Sequence, residues 1–267
     1  MSDSVSFDRA AEYYDQTRGL SEDGVRMTTE ALVAAFDGAG PILEVGVGTG
    51  QVALPLHAVG VQVVGLDLSR PMLAKLLAKG DGAPPFPLLE ADATRMPLPD
   101  DAFGGAYLRW VLHLIPDWRA VVAEVARVVE PGGLFLAGLG SYGGIGSEIQ
   151  ERFAELTGVS TEPTGLIWDG WNELDVLVDA LGGEKLPDVS IEALPVDDVE
   201  TFIRGIEGNR YSWTWAVRDD ALRRRAAALT RAWAEDRWGP LDHVPREPIR
   251  VTFAAYRLGM TGRHPDT

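Results

Sequence analysis

From residue 41 onward, short apolar segments alternate with segments whose apolar residues recur at helical spacing. The apolar segments cover residues 41–47, 61–68, 86–90, 106–110 and 133–139. Their length and the intervening helical patterns are typical of buried strands joined by helices. Because such connections are almost always right-handed crossovers between parallel strands, the alternation predicts an α/β fold built on a parallel sheet.

Two of the connecting helices have recognisable ends. The segment 118–129 carries apolar residues along one stripe, with Asp117 as its N-cap, and is expected to end at Pro131-Gly132-Gly133. Ser69 is expected to cap a second helix that has Pro71 in its first turn and ends before Gly80. These signals place both helices directly after predicted strands.

The pattern after residue 140 predicts two more strands, at 189–194 and 249–258, separated by a helical insert at 198–238. We expect Leu222, Ala226, Leu229 and Trp233 to form the apolar face of the second helix of this insert. The predicted organisation has N-terminal cap helices at 1–40 and a cofactor-binding domain at 41–197 and 239–260. The insert is expected to form part of an acceptor lid, and residues 261–267 a flexible tail.

Composition excludes several classes of protein. The chain has no cysteine, which excludes disulfides, thiolate metal sites and a cysteine nucleophile. Its formal net charge is −16, which disfavours a nucleic-acid partner. There is no apolar run long enough for a membrane span, and the acidic, polar N-terminus does not resemble a signal peptide. We therefore expect a cytoplasmic protein, and the sequence leaves its oligomeric state open.

The most informative motif is ILEVGVGTG, residues 42–50, at the end of the first predicted strand. Gly46, Gly48 and Gly50 permit a tight turn into the next helix and a close approach of the backbone to a ligand. A dinucleotide fingerprint has the spacing G-x-G-x-x-G, whereas the third glycine here comes one residue early. Glu44 would oppose a pyrophosphate, but it would suit a cationic group of a ligand.

Two acidic residues end the next two strands. Asp67 ends the second strand, where a carboxylate can accept hydrogen bonds from both hydroxyls of a ribose. Asp92 ends the third strand and can accept from an exocyclic amine, while Leu68 and Met72 can pack on an adenine ring. Ligands bind at this edge of open α/β sheets, so these groups predict a nucleoside-binding crevice.

Taken together, these motifs resemble the class I S-adenosylmethionine-dependent methyltransferases, a family that includes the ubiquinone and menaquinone C-methyltransferases. The resemblance covers about residues 7–140. It implies that Asp67 binds the ribose, that Asp92 and Ala93 contact adenine and that Arg109 lies at the edge of the cofactor. It also implies that Tyr14 and Arg18 close over the methionine end.

The fold that this resemblance implies is a Rossmann-like, seven-stranded mixed sheet with helices on both faces and a helical cap. Its last strand, residues 249–258, would be antiparallel. The implied cofactor is S-adenosylmethionine, which becomes S-adenosylhomocysteine after transfer.

The predicted function is metal-independent, in-line methyl transfer to a small, hydrophobic or aromatic molecule. His113 is the first candidate for a base or an acceptor anchor, ahead of His57, His243 and His264. The tryptophan-rich region 168–238 would supply an aromatic lid, and Arg223, Arg224 and Arg225 could receive an anionic group. The alternatives are a nicotinamide-dependent oxidoreductase, a tRNA or protein methyltransferase, and a protein that binds S-adenosylmethionine for non-methyl chemistry or for binding alone.

Overall fold

The computed structural model describes residues 7–17, 21–80, 82–139, 144–167, 170–193, 198–242 and 249–259. Its α-helices are α1 (Tyr14–Thr17), α2 (Glu22–Ala35), α3 (Ala53–Ala58), α4 (Arg70–Lys79), α5 (Trp118–Val128), α6 (Gly144–Thr157), α7 (Trp171–Ala180), α8 (Val199–Glu207) and α9 (Asp220–Trp238). Short 3₁₀ helices lie at Asp8–Ala10, Leu112–Leu114 and Ser212–Thr214. None of the described helices is long and apolar enough to cross a membrane.

The described strands form one seven-stranded sheet. They are β1 (Ile42–Val45), β2 (Val63–Asp67), β3 (Leu88–Glu90), β4 (Phe103–Arg109), β5 (Val129–Leu139), β6 (Glu184–Ala193) and β7 (Ile249–Arg257). Their order across the sheet is β3-β2-β1-β4-β5-β7-β6. β1 to β5 pair in parallel, whereas β7 is antiparallel to both β5 and β6. The predicted mixed sheet with an antiparallel last strand is confirmed.

Two helices that follow strands begin as the sequence indicates. The Ser69 hydroxyl accepts a hydrogen bond from the amide of Met72 at the start of α4, and Gly80 ends that helix. The Asp117 carboxylate accepts from the amide of Ala120 at the start of α5. These caps satisfy amides that have no partner inside the helix, which fixes where the chain turns away from the sheet.

The predicted end of α5 is wrong. The helix ends at Val128, and Pro131-Gly132-Gly133 lies inside β5 rather than between helix and strand. Val129 already pairs with Phe103, and the register then shifts before Leu134 pairs with Gly105. The Pro-Gly-Gly triplet therefore occupies a bulge of the ladder, where proline and glycine are tolerated.

Apolar side chains pack into three clusters. One packs α5 and α7 on one face of the sheet, and a second packs α2, α3 and α4 on the other face. The third joins α6, α8 and α9 with the Ser212–Thr214 turn. The predicted apolar face of α9 is partly wrong, because Leu229 is 45% exposed, whereas Ala227 and Thr230 are buried. Large side chains of α6 and α8, among them Phe153 and Ile203, fill this cluster, so alanines of α9 are sufficient to complete it.

Candidate cofactor site

A cleft of about 780 Å³ lies at the carboxyl ends of β1 to β4. Ten predicted site residues line it: Tyr14, Gly46, Gly48, Asp67, Leu68, Met72, Asp92, Ala93, Arg109 and His113. Arg18, by contrast, lies outside the described residues, as do His243 and His264.

The glycine-rich turn leaves β1 through three residues with positive φ. Gly46 has φ +77°, and a Cβ there would lie 2.4 Å from Cγ2 of Val111. A Cβ on Gly48, with φ +55°, would approach Met72 Cε. Gly50 does not line the cleft. It packs against Leu54 and Leu76, so it is required for the geometry of the turn rather than for contact with a ligand.

Asp67 connects the turn to the start of α4. Its Oδ2 accepts the amide of Gly48 at 2.8 Å, and its Oδ1 accepts the amide of Ser69 at 2.8 Å. Burial raises the pKa of Asp67, although these two amides favour the ionised form. Each carboxylate oxygen has a second lone pair, so Asp67 can accept two further hydrogen bonds from a ligand in the cleft.

The far end of the cleft is formed by the residues after β3. Asp92 Oδ1 accepts the amide and the hydroxyl of Thr94, which shapes a tight turn. Asp92 and Ala93 line the cleft together with Leu68 and Met72. This end therefore combines a carboxylate with apolar surface, as a flat polar ring would require.

A smaller pocket of about 270 Å³ adjoins the glycine turn, and Glu44 and Arg109 both line it. The Tyr107 hydroxyl donates to Glu44 Oε2 at 2.7 Å, and both side chains are buried. Burial raises the pKa of Glu44 to about 8, while the Tyr107 hydroxyl and the Arg109 charge oppose that shift. The pocket thus places a buried carboxyl group beside a positively charged guanidinium.

Arg109 contributes to both cavities. Its Nη2 donates to Gln51 Oε1 at 3.0 Å, and its guanidinium lies 4.1 Å from the ring centre of Trp110. Its buried Nη1 has no hydrogen-bond partner among the described residues. Since a buried guanidinium donor is normally satisfied, this atom is available to an anionic or oxygen-bearing group of a ligand.

The N-terminal segment, residues 7–17, contacts the glycine turn and both ends of α4. The Ser69 hydroxyl donates to Asp8 at 2.6 Å, and Asp15 pairs with Lys79 at 2.8 Å. Burial raises the pKa of Asp15, but hydrogen bonds from Lys79, Thr49 and Gln51 outweigh it and hold the pKa below its ordinary value. These contacts place the ring of Tyr14, which lines both cavities, over the turn.

His113 lies in the 3₁₀ turn Leu112–Leu114, directly after β4, and is buried at the edge of the cleft. The backbone of residues 165–166 supports this turn. Gly165 N–H donates to the His113 carbonyl at 3.0 Å, and Leu166 N–H donates to the Leu112 carbonyl at 3.0 Å. His57 is exposed and packs on Phe86, away from the cleft.

Gly165→Ala is expected to destabilise the protein by about 1–3 kcal/mol, because its Cβ would lie 2.1 Å from the Leu112 carbonyl oxygen and backbone would have to move. Urea denaturation would measure this change. Gly146→Ala, in α6, is the control, since its Cβ would meet nothing within 4 Å and alanine favours a helix. Equal stability of the Gly165 variant and the unchanged chain would contradict the close approach of Gly165 to the Leu112 carbonyl.

Several cleft residues are absent from the sequence-based set: Phe7, Leu66, Ser69, Ala91, Trp110, Val111, Leu114 and Ile115. Most are apolar, and an apolar residue in a strand or turn gives no signal that separates cavity wall from core. Arg223 is not a free anion site either. It is buried, pairs with Asp220 at 2.5 Å and donates to the Glu207 carbonyl.

Comparison with known proteins agrees with this geometry. Residues 43–137 match the family model described as a methyltransferase domain. The chain is 37% identical over 123 residues to a phosphatidylethanolamine N-methyltransferase of Cereibacter sphaeroides, covering 45% of this chain and 59% of that protein. It is 34% identical over 130 residues to a demethylmenaquinone methyltransferase of Streptomyces avermitilis, covering 48% and 55%.

The chain thus spans less than two thirds of the length of these curated relatives. A solved structure of a methyltransferase from an antibiotic biosynthesis pathway of Anabaena variabilis has the same fold, with a TM-score of 0.61 and 15% identity over 86% of this chain and 96% of that one. The sheet order, the glycine turn and the family match agree. Residues 43–137 are therefore similar to a methyltransferase domain, and the whole chain shares the fold of solved methyltransferase structures.

Proposed function

We propose that this protein transfers a methyl group from S-adenosylmethionine to a small, hydrophobic or aromatic molecule by in-line displacement, without a metal ion. The observation that carries the proposal is the order of polar groups around the glycine turn. Asp67 lies on one side of Gly48, and Glu44 and Arg109 lie on the other. This order matches the order of groups along the cofactor.

The residues present fit that cofactor. The unused lone pairs of Asp67 suit the two ribose hydroxyls. Glu44 and the unpartnered Nη1 of Arg109 suit the ammonium and carboxylate of the methionine part. Asp92 and Ala93 would contact the adenine ring.

When bound, the cofactor supplies a methyl group on a positively charged sulfur, which is already a strong electrophile. The protein therefore has to hold the acceptor in line and exclude water, and orientation of this kind supplies on the order of 7–11 kcal/mol. Tyr14 and Phe7 would cover the site from the N-terminal segment. His113 would serve as the base for an acceptor that must lose a proton, or as its anchor.

Apolar cleft walls support a hydrophobic acceptor. Val111, Leu114 and Ile115 line the β4 side, beside His113. The relatives include proteins named for demethylmenaquinone and for phosphatidylethanolamine, both of which carry long apolar parts. The net charge of −16 supports a small molecule rather than a nucleic acid, and we propose a cytoplasmic location.

The insert 198–238 is proposed to form part of the acceptor lid, beside the domain at 41–197 and 239–260 and the cap at 1–40. The ring of Trp215, in the insert, lies 5.2 Å from that of Phe7, and Arg9 lies over Trp215 at 4.7 Å. The insert thereby contacts the N-terminal segment that lines the cleft. This contact supports the proposal that both segments cover the cleft.

Calorimetry with S-adenosylhomocysteine is expected to show one site per chain. Transfer of a labelled methyl group from S-adenosylmethionine should then be measured against naphthols and primary amines, with and without EDTA. We expect transfer that EDTA does not change. Binding of NADH in place of S-adenosylhomocysteine would contradict the proposal, and binding without transfer to any acceptor would favour a non-methyl role.

A further inference from the structure

Trp110, directly after β4, has an unusual backbone conformation. Its φ is +60°, and the other described non-glycine residues with positive φ are Asp101 and Asn209, both types that tolerate this region. A bulky residue in this conformation is strained and persists only where its neighbours hold it. Here the Trp110 amide is held by a hydrogen bond to the Gly138 carbonyl at 2.8 Å.

The indole of Trp110 also has an unsatisfied donor. Its Nε1 is buried and has no hydrogen-bond partner among the described residues. Buried tryptophan N–H groups usually have a hydrogen-bond acceptor, and a buried N–H without one is unfavourable. Trp110 lines the large cleft, so strain and an unused donor coincide on a ligand-facing wall.

The position of Trp110 indicates which part of the reaction it serves. Asp67 and Asp92 mark the nucleoside side of the cleft, at the ends of β2 and β3. Trp110 lies across β1 from them, at the end of β4, where Val111, Leu114 and Ile115 line the cleft beside Arg109 and His113. With the cofactor placed as proposed above, this is the side that the acceptor enters.

We infer that Trp110 is a specificity-determining residue whose Nε1–H donates a hydrogen bond to a hydroxyl or carbonyl oxygen of the methyl acceptor. This inference rests on the proposed function and narrows its substrate class to planar, apolar molecules that carry an oxygen. An indole N–H only donates, and the guanidinium of Arg109 packs on its ring at 4.1 Å. Both features disfavour a protonated amine at this position.

The test uses protein labelled with ¹⁵N-tryptophan and saturated with S-adenosylhomocysteine. The probes are 1-naphthol and 1-methylnaphthalene, which have similar shapes but differ in the oxygen. The indole signal of Trp110 is assigned as the one missing from Trp110→Phe. We expect 1-naphthol to move that signal downfield and to bind about tenfold more tightly than 1-methylnaphthalene. Trp110→Phe should abolish that preference.

Trp171→Phe is the matched control, because Trp171 packs in the cluster beneath the sheet and does not line the cleft. It should keep the tenfold preference. Equal binding of the two probes, no binding of either, or a Trp110 signal that 1-naphthol leaves unmoved would overturn the inference. Failure of S-adenosylhomocysteine to bind at all would instead reject the proposed function, so the two failures are distinguishable.

Discussion

Asp67→Ala is expected to weaken the binding of S-adenosylhomocysteine by at least about a hundredfold. The substitution removes both oxygens that would accept the ribose hydroxyls, and each hydrogen bond to a charged group is worth about 1.5–3 kcal/mol. It also leaves the amides of Gly48 and Ser69 without their acceptor, which loosens the glycine turn. Calorimetry on the purified variant measures the change directly.

Two comparison variants separate the loss of ligand contacts from a general loss of folded structure. Asp67→Asn keeps one acceptor oxygen and should lose less affinity than Asp67→Ala. Asp37→Ala removes an exposed acid after α2, far from the cleft, and should bind as the unchanged chain does. If Asp67→Ala bound within threefold of the unchanged chain, the ribose assignment would be wrong.

The sequence was sufficient to predict that Gly46, Gly48 and Asp67 meet at one cleft, because each signal there is local. Gly46 and Gly48 are required by the turn in which they lie, and Asp67 stands two residues before the cap of α4. Helix and strand periodicities likewise depend on neighbours within a few residues. A single sequence contains all of this information.

The part of the site around Glu44 depends on contacts between residues that are distant in the sequence. Glu44 and Tyr107 are 63 residues apart, and they meet because the parallel ladder makes them register partners. Burial raises the pKa of Glu44 and this hydrogen bond opposes the rise, yet periodicity does not set the register between two strands. The Asp15 contacts with Thr49 and Lys79 depend in the same way on docking of the N-terminal segment.

The buried Glu44 makes the stability of the free protein depend on pH. Its pKa is raised from 4.5 to about 8, mainly by burial, so the folded chain still holds this proton over a range in which the unfolded chain has released it. The free energy of unfolding therefore falls as pH rises through that interval. The contribution is fully present below about pH 4.5 and is lost as pH passes about 8.

Glu44→Gln removes this titration, because an amide has no proton to lose, and it can still accept from Tyr107. Relative to the unchanged chain, the variant should gain stability between pH 5 and pH 8, by at most about 5 kcal/mol. Urea denaturation at pH 5, 6.5 and 8 measures the difference.

Glu162→Gln, at an exposed acid, is the control and should follow the unchanged chain at every pH. Glu44→Gln should also bind S-adenosylhomocysteine more weakly, since the amide carries no charge to pair with the ammonium. A variant that gained stability and kept full affinity would remove Glu44 from the proposed cofactor site. Parallel stability curves for Glu44→Gln and the unchanged chain would show instead that Glu44 titrates normally. Ionised Glu44, which destabilises the free protein as pH rises, is thus expected to be stabilised when the ammonium of the cofactor binds beside it.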